Sequence, residues 1–348
     1  MRRAPVVVLV ASACVLALGL AWAQRAPIGL MPSLPGAPQP QPSASAPSAV
    51  QSAAVIAPAA PAASTQAPAA TPPAAAPAVP PAPAAAAIIP KCDNPNALGV
   101  ARTVEIDTTG GPGFGFEHFK QHDFLRNNEV VLTFDDGPWP TTPHVLEALA
   151  AECVRATFFP IGKHATYHPE ILKQVVAAGH TVGSHTWSHR DLSKKTTVQE
   201  AKDEIEKGIS AVRWALGAPA SPFFRFPALR HPPELVTYLG QRNIGIFSTD
   251  MDSFDFKMRK SDQVIDSVMA KLKKHGKGIV LMHDFQQSTA QAVPELLTRL
   301  KAEGYKVVHM RAKFQINTLP QYDEALLKEN KLQTVTTRAT TSIVRTVD

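Results

Sequence analysis

The run Glu129-Val130-Val131-Leu132-Thr133-Phe134-Asp135-Asp136-Gly137-Pro138 decides how the rest of the chain is read. From Glu129 to Phe134 it is largely β-branched, aliphatic or aromatic. A continuous apolar run of that length predicts a strand covered on both faces, as in a parallel sheet. Gly137 and Pro138 end it at once. Adjacent residues on a regular strand point to opposite faces, but at a sharp turn both carboxylates can enter one cavity. Two close carboxylates repel unless a cation or a proton sits beside them. Alone, an Asp–Asp pair at a turn more often caps or is solvated, so its meaning depends on what the other strand ends carry.

Six more strands follow the same pattern: Ala156–Ile161, Thr181–Ser184, Phe223–Phe226, Ile244–Ser248, Gly278–Met282 and Lys306–His309. Between them lie helical patterns at Thr142–Glu152, Pro169–Ala178, Val198–Leu216, Pro232–Arg242, Ser261–Lys274 and Ala290–Glu303. Gly179 and Gly304 stand where helix C-terminal glycines belong. Pro169, Pro232 and Pro294 are placed near helix starts. Strands alternating with helices predict an α/β fold with a parallel sheet, either a barrel or an open doubly wound sheet. The reactive residues favour the barrel. Asp135 and Asp136 follow the first strand, His185 and His189 the third, Arg225 ends the fourth, Asp252 and Asp255 follow the fifth, and His283 and Asp284 the sixth. A parallel barrel opens all its strand C-termini on one face, whereas an open sheet gathers its site at one switch-point crevice.

The chain has 348 residues and a formal net charge of +6. No dense Lys/Arg cluster with interleaved aromatics is present, so nucleic acid is not an expected partner. Lys271 to Lys277 reads as a cationic last helical turn. Arg2 and Arg3, the apolar Val6 to Leu20, and Ala21-Trp22-Ala23 before Gln24 predict a signal peptide over 1–23. An uncleaved membrane anchor is the alternative. Residues 24–90 carry more than half of the 32 prolines and, past Arg25, nothing charged or aromatic. Such a segment has nothing to bury and predicts a disordered, extended linker. The globular pattern predicts a folded domain over 91–315, then a tail of uncertain order over 316–348. Cys92 and Cys153 are an even pair in an exported chain: a disulfide candidate, or two separate buried thiols. His180 reads as structural at a helix–strand joint. Gly110-Gly111-Pro112-Gly113-Phe114-Gly115 lacks phosphate-loop spacing and reads as a loop.

The second motif is His185-Thr186-Trp187-Ser188-His189. Two histidines four apart share one face of a helical turn and can grip one metal. With Asp136 they supply two imidazoles and a carboxylate, a set that suits Zn²⁺ with a position left open for water or substrate. Co²⁺ or another divalent ion suits the same donors.

These pieces resemble the polysaccharide deacetylases (NodB-homology domain, carbohydrate esterase family 4) over Glu129 to Arg311. Thr133-Phe134-Asp135-Asp136-Gly137-Pro138 matches the family's first motif and His185–His189 its second. Arg225-Phe226-Pro227-Ala228 corresponds to the third, Asp255-Phe256 to the fourth, and Leu281-Met282-His283 to the fifth. Ala228 stands where the family usually has an aromatic residue, and Phe256 where it has Trp. The resemblance implies a distorted (β/α)7 barrel. It implies metal ligation by Asp136, His185 and His189, with Asp135 as base, Arg225 orienting it, His283 as acid and Asp255 tuning that acid. It also places Pro227, Ala228, Leu281 and Trp187 at the substrate or oxyanion. The expected reaction is removal of N-acetyl groups from an N-acetylglucosamine polymer such as peptidoglycan, chitin oligosaccharide or exopolysaccharide, releasing acetate. An O-acetyl polysaccharide esterase and a catalytically idle carbohydrate-binding envelope protein are the other readings. The expected location is periplasmic or secreted.

Overall fold

The computed structural model describes residues 92–332. The expected signal peptide, linker and last part of the tail lie outside the described residues. The strands are β1 (Arg102–Ile106), β2 (Gly113–Phe114), β3 (Glu129–Asp135), β4 (Thr157–Phe159), β5 (Thr181–Val182), β6 (Phe223–Phe224), β7 (Gly245–Phe247), β8 (Met251–Asp252), β9 (Gly278–His283) and β10 (Lys306–Ala312). The helices are α1 (Thr142–Ala151), α2 (Gly162–Tyr167), α3 (Pro169–Ala177), α4 (Val198–Leu216), α5 (Pro233–Gln241), α6 (Ser261–His275), α7 (Gln287–Ala302) and α8 (Pro320–Asn330).

All strand pairing is parallel. β3 pairs with β4, β4 with β5, β6 with β7, β8 with β9, and β9 with β3. The step from β5 to β6 is a bridge between Ser184 and Phe224, carried by Ser184 N–H to Phe223 O (2.9 Å) and Arg225 N–H to Ser184 O (3.1 Å). The chain itself makes the step from β7 to β8. The circuit β3–β4–β5–β6–β7/β8–β9–β3 therefore closes, loosely on the β5–β6 side, as a distorted barrel. β10 pairs with the first residues of β3 and carries β1 on its other edge, while β2 pairs with β7.

The period-two alternation sorts the strand residues. Val130, Leu132 and Phe134 face the helices and join the large apolar layer that includes Val145, Leu149, Val293 and Leu297. Val131 faces inward with Phe159, Phe223, Phe247, Ile279 and Met310. The in-register partners Val131↔Ile279, Thr133↔Leu281 and Asp135↔His283 then stack towards the C-terminal rim. The interior thus changes from apolar to ionisable along one strand.

Three local readings change, and one open choice is settled. β1, β2 and β8 are strands that the pattern does not announce. They are short or, as β1, exposed at every second residue. Pro294 is not near a helix start but inside α7, which begins a full turn earlier than its apolar pattern. The compact domain continues past residue 315. α8 lays Leu326 against Trp187 and Ala211, and its Asp323 pairs with Arg213 of α4 at 3.1 Å. Cys92 and Cys153 form a disulfide, with Cα atoms 5.6 Å apart, that ties the first described residue to the turn after α1.

Leu326 is 1% exposed. Leu326→Ala is expected to lower the unfolding free energy by about 2–5 kcal/mol in urea titration. An unchanged midpoint and slope would show that α8 is not part of the cooperative fold.

Candidate active site and metal centre

The first motif turns at Asp136, whose φ is +71°. Asp284 dictates the bend. Its Oδ1 accepts the Gly137 N–H at 3.0 Å and its Oδ2 accepts the Thr142 hydroxyl at 2.5 Å. A Cβ at Gly137 would overlap that carboxylate, which is why the residue after the two aspartates is glycine. The bend brings Asp135 and Asp136 into one cavity instead of onto opposite faces. Burial pushes the Asp284 carboxyl up to about 7, against the Thr142 hydrogen bond.

The second motif is a loop clamped from two sides. Its backbone visits positive φ at Thr186 (63°) and His189 (60°). The first N–H groups of α2, at Gly162 and Lys163, donate to Thr186 O and Trp187 O, each at 2.9 Å. From α4, Glu204 accepts the Ser188 N–H at 2.9 Å and its hydroxyl at 2.8 Å. Gly208 lets that helix touch the loop. A Cβ there would stand 2.5 Å from Thr186 C and 2.7 Å from Thr186 O.

Between these loops the donor atoms converge. Asp136 Oδ1 lies 3.5 Å from His185 Nε2 and 3.4 Å from His189 Nε2. Bond lengths of about 2.0–2.2 Å at tetrahedral angles put Zn²⁺ ligand atoms about 3.4 Å apart, so the spacing fits such an ion. His185 Nδ1 donates to Arg225 O at 2.7 Å, which leaves Nε2 as the unprotonated ligand atom. Asp136 Oδ1 is buried and has no hydrogen-bond donor in the protein, the condition a cation would relieve. Burial, then the neighbouring His189, hold the His185 imidazole well below its usual pKa, in the form that ligates.

Asp135 and His283 flank this triad. Arg225, fully buried, donates to Asp135 Oδ1 at 2.8 Å. Burial raises the Asp135 carboxyl more than Arg225 and His283 lower it, and it settles at about 6. His283 Nδ1 lies 2.6 Å from Asp255 Oδ1 and its backbone N–H 2.7 Å from Asp255 Oδ2. The Thr289 hydroxyl also donates to Asp255. Burial opposes the imidazolium, but the Asp255 hydrogen bond and charge, joined by Asp136 and Asp135, outweigh it and raise His283 to about 9.

These groups open into a cleft of about 570 Å³. Ala228 and Leu281 line it with Phe226, Phe254 and Phe256. Phe256 presents its ring edge-on to His283 at 5.6 Å. Pro227 is buried and starts a 3-10 turn behind the cleft wall. Trp187 departs from its expected place. Only 8% exposed, it packs on Ala211 and Leu326 under the Lys163 and Lys207 ammonium groups, so it braces the histidine loop and does not face the cleft. His180 is structural as expected: its buried Nδ1 accepts the Ala156 N–H at 3.1 Å. Glu204 and Gly208 are absent from the sequence reading, and Asp284 enters it only as a strand-end carboxylate, not as the brace of the Asp136 turn. Their only local signals are an Asp directly after His283 and polar or small residues on the helix pattern Val198–Leu216.

Gly208→Ala is expected to push the Thr186–Trp187 backbone away and weaken Zn²⁺ binding at least tenfold in competition with a chromogenic chelator. Affinity equal to the parent protein would show that the clamp does not set the triad.

The family model described as polysaccharide deacetylase matches residues 125–244. A chitooligosaccharide deacetylase of Sinorhizobium fredii is 30% identical over 224 residues, covering 58% of this chain and 99% of that protein. A peptidoglycan-N-acetylglucosamine deacetylase of Listeria monocytogenes is 37% identical over 186 residues, or 52% of this chain, which spans only 38% of that relative's length. The solved structure of a peptidoglycan deacetylase from Bdellovibrio bacteriovorus superposes with a TM-score of 0.56 at 33% identity, covering 64% of this chain and 62% of that one. With the family model matched and the Sinorhizobium relative covered over nearly its whole length, this chain belongs to the polysaccharide deacetylase family.

Proposed function

We propose that the chain is a metal-dependent hydrolase that removes N-acetyl groups from an N-acetylglucosamine-containing polysaccharide and releases acetate. The observation that carries this reading is the register pairing of Asp135 with His283 on either side of the Asp136–His185–His189 triad. Each flanking group has its own partner, Arg225 or Asp255, to set its charge. A binding domain needs no such base–acid pair. The relatives' named substrates, chitooligosaccharide and peptidoglycan, suggest the polymer class. The predicted signal peptide suits an exported protein, periplasmic or secreted.

Asp136, His185 and His189 would hold the ion, Zn²⁺ or another divalent metal of similar ligand preference. When bound, such an ion lowers the pKa of water and polarises a carbonyl. Asp135, ionised above its pKa of about 6 and aimed by Arg225, takes a proton from the attacking water. Ala228 lines the cleft, and its N–H would donate to the developing oxyanion. His283, protonated at neutral pH with a pKa of about 9, gives its proton to the departing amine as the carbon–nitrogen bond breaks. Acetate and the free amine are the products.

Acetate release from a panel of N- and O-acetylated glycans, with and without chelator, tests the reading. Chelator-sensitive release from N-acetyl substrates is expected; release from O-acetyl substrates alone would replace it with an esterase, and none from any glycan would overturn it. Asp135→Ala and His283→Ala should each lower kcat on the order of 10²–10⁴-fold while Zn²⁺ remains bound.

The pH profile supplies a further test. His283 must be protonated to donate, so activity falls as pH rises through its pKa. Asp255→Asn removes the partner that raises that pKa, so the alkaline limb of kcat/KM should move to lower pH. An unmoved limb would show that His283 does not set it.

A further inference from the structure

Trp139, His164, Tyr167 and His168 form an aromatic patch beside the cleft that none of the steps above uses. Trp139 is 36% exposed and Tyr167 60%, although burial is the usual fate of such rings. Trp139 is held rather than loose. Its backbone N–H donates to the Thr142 hydroxyl at 2.9 Å, and its backbone carbonyl accepts the Thr142 N–H at 2.8 Å. The indole leans on the His164 ring, with centroids 4.8 Å apart, and meets His168 edge-on at 5.3 Å. Tyr167 lies 6.3 Å beyond His164. His164 and Tyr167, three apart on α2, share one helix face.

The patch is joined to the reaction centre. His164 Nδ1 lies 2.6 Å from the carbonyl oxygen of Asp136, and Trp139 follows Asp136 by three residues. None of the four rings lines the cleft itself, so the patch lies beyond the cleft lining, behind the Asp136 turn to which His164 is bonded.

We propose that this patch is a second sugar-binding platform. It would hold a pyranose ring of the polymer away from the one being deacetylated, a proposal that rests on the glycan-deacetylase reading. A pyranose has a C–H face that packs on the electron-rich face of an aromatic ring, and a rim of hydroxyls that needs hydrogen-bond partners. Trp139 supplies the flat surface, and His164, His168 and the Tyr167 hydroxyl supply the polar rim.

The test uses the full chain with N-acetylglucosamine hexamer and dimer. Trp139→Ala should raise KM for the hexamer roughly three- to tenfold, with kcat, dimer kinetics and Zn²⁺ affinity unchanged. Trp139→Phe should recover most of the loss. A change shared equally by hexamer and dimer, or none for either, would overturn the platform. Calorimetric binding of the hexamer to the metal-free chain separates this proposal from the catalytic one. If no glycan is deacetylated yet hexamer binding drops in Trp139→Ala, the platform stands and the assigned reaction falls. If the parent chain binds hexamer no more tightly than dimer, the platform falls whatever the activity.

Discussion

Arg225 is fully buried, and its guanidinium is where the barrel strands are tied together. It donates to Thr133 and Asp135 of β3 and to the carbonyls of Phe247 and Ser248 at the end of β7. It also lies over the Phe159 ring of β4, with its central carbon 4.4 Å from the centroid. A buried charge costs several kcal/mol in desolvation unless its donors are met, and here carbonyls, a hydroxyl and a carboxylate meet them. The same constraint orders the reaction centre. Arg225 fixes the Asp135 carboxylate through its side chain and the His185 tautomer through its carbonyl. One residue, directly after the two-residue strand β6, therefore sets both a base and a metal ligand. Lys could not replace it, since a point ammonium cannot satisfy so many acceptors in one plane.

The barrel interior supports this arrangement by changing character with height. Val131, Ile279 and Phe223 fill the lower layers. Thr133 and Arg225 form a polar middle, and Asp135 and His283 end the series at the rim. A water-filled barrel would hydrate Arg225 and weaken its hold. The apolar floor keeps the dielectric low, which strengthens each hydrogen bond above it. It also explains the split between the carboxylates. Asp135 is raised by burial, whereas Asp255, equally enclosed, is lowered because His283 and Thr289 hydrogen-bond its charged form strongly enough to overcome the burial cost.

Much of this was legible in the sequence because it is written in strong local patterns. The seven strands read from apolar runs are all present, and α4 runs from Val198 to Leu216 as its amphipathic pattern indicates. The strand-end residues converge because parallel topology gives them one face. What the sequence hid depends on contacts between distant segments. Asp284 bends the Asp136 turn from across the sheet, and Gly208 matters only because a loop passes over its helix. Trp187 sits in a motif, so it read as a substrate residue. Its burial is set by α8, whose weak pattern read as a tail. β8 is two residues long and exists only because β9 offers an edge.

The cleft wall at Ala228 is under unusual backbone constraint. Ala228 and Leu229 both sit at φ of 52°, a region that costs a non-glycine residue about 1 kcal/mol or more. Arg230 N–H closes the turn on Pro227 O at 3.2 Å, and the buried Phe226 anchors its start. The turn is thus held by its flanks and not by the side chain at its apex. A large aromatic there would form the cleft wall; a methyl group leaves that volume open and keeps the backbone N–H at the surface. On the facing wall Phe254 and Phe256 stand outward, 40% and 48% exposed, with the Lys257 ammonium over both rings. Aromatic surface at the cleft mouth is carried by Phe254 and Phe256, while residue 228 contributes only a methyl group. The groups that do chemistry are held by Arg225, Asp255 and Asp284, not by the side chains of the cleft wall. The wall can change its side chains without moving them, and that separation lets one barrel keep its reaction centre while its groove is reshaped.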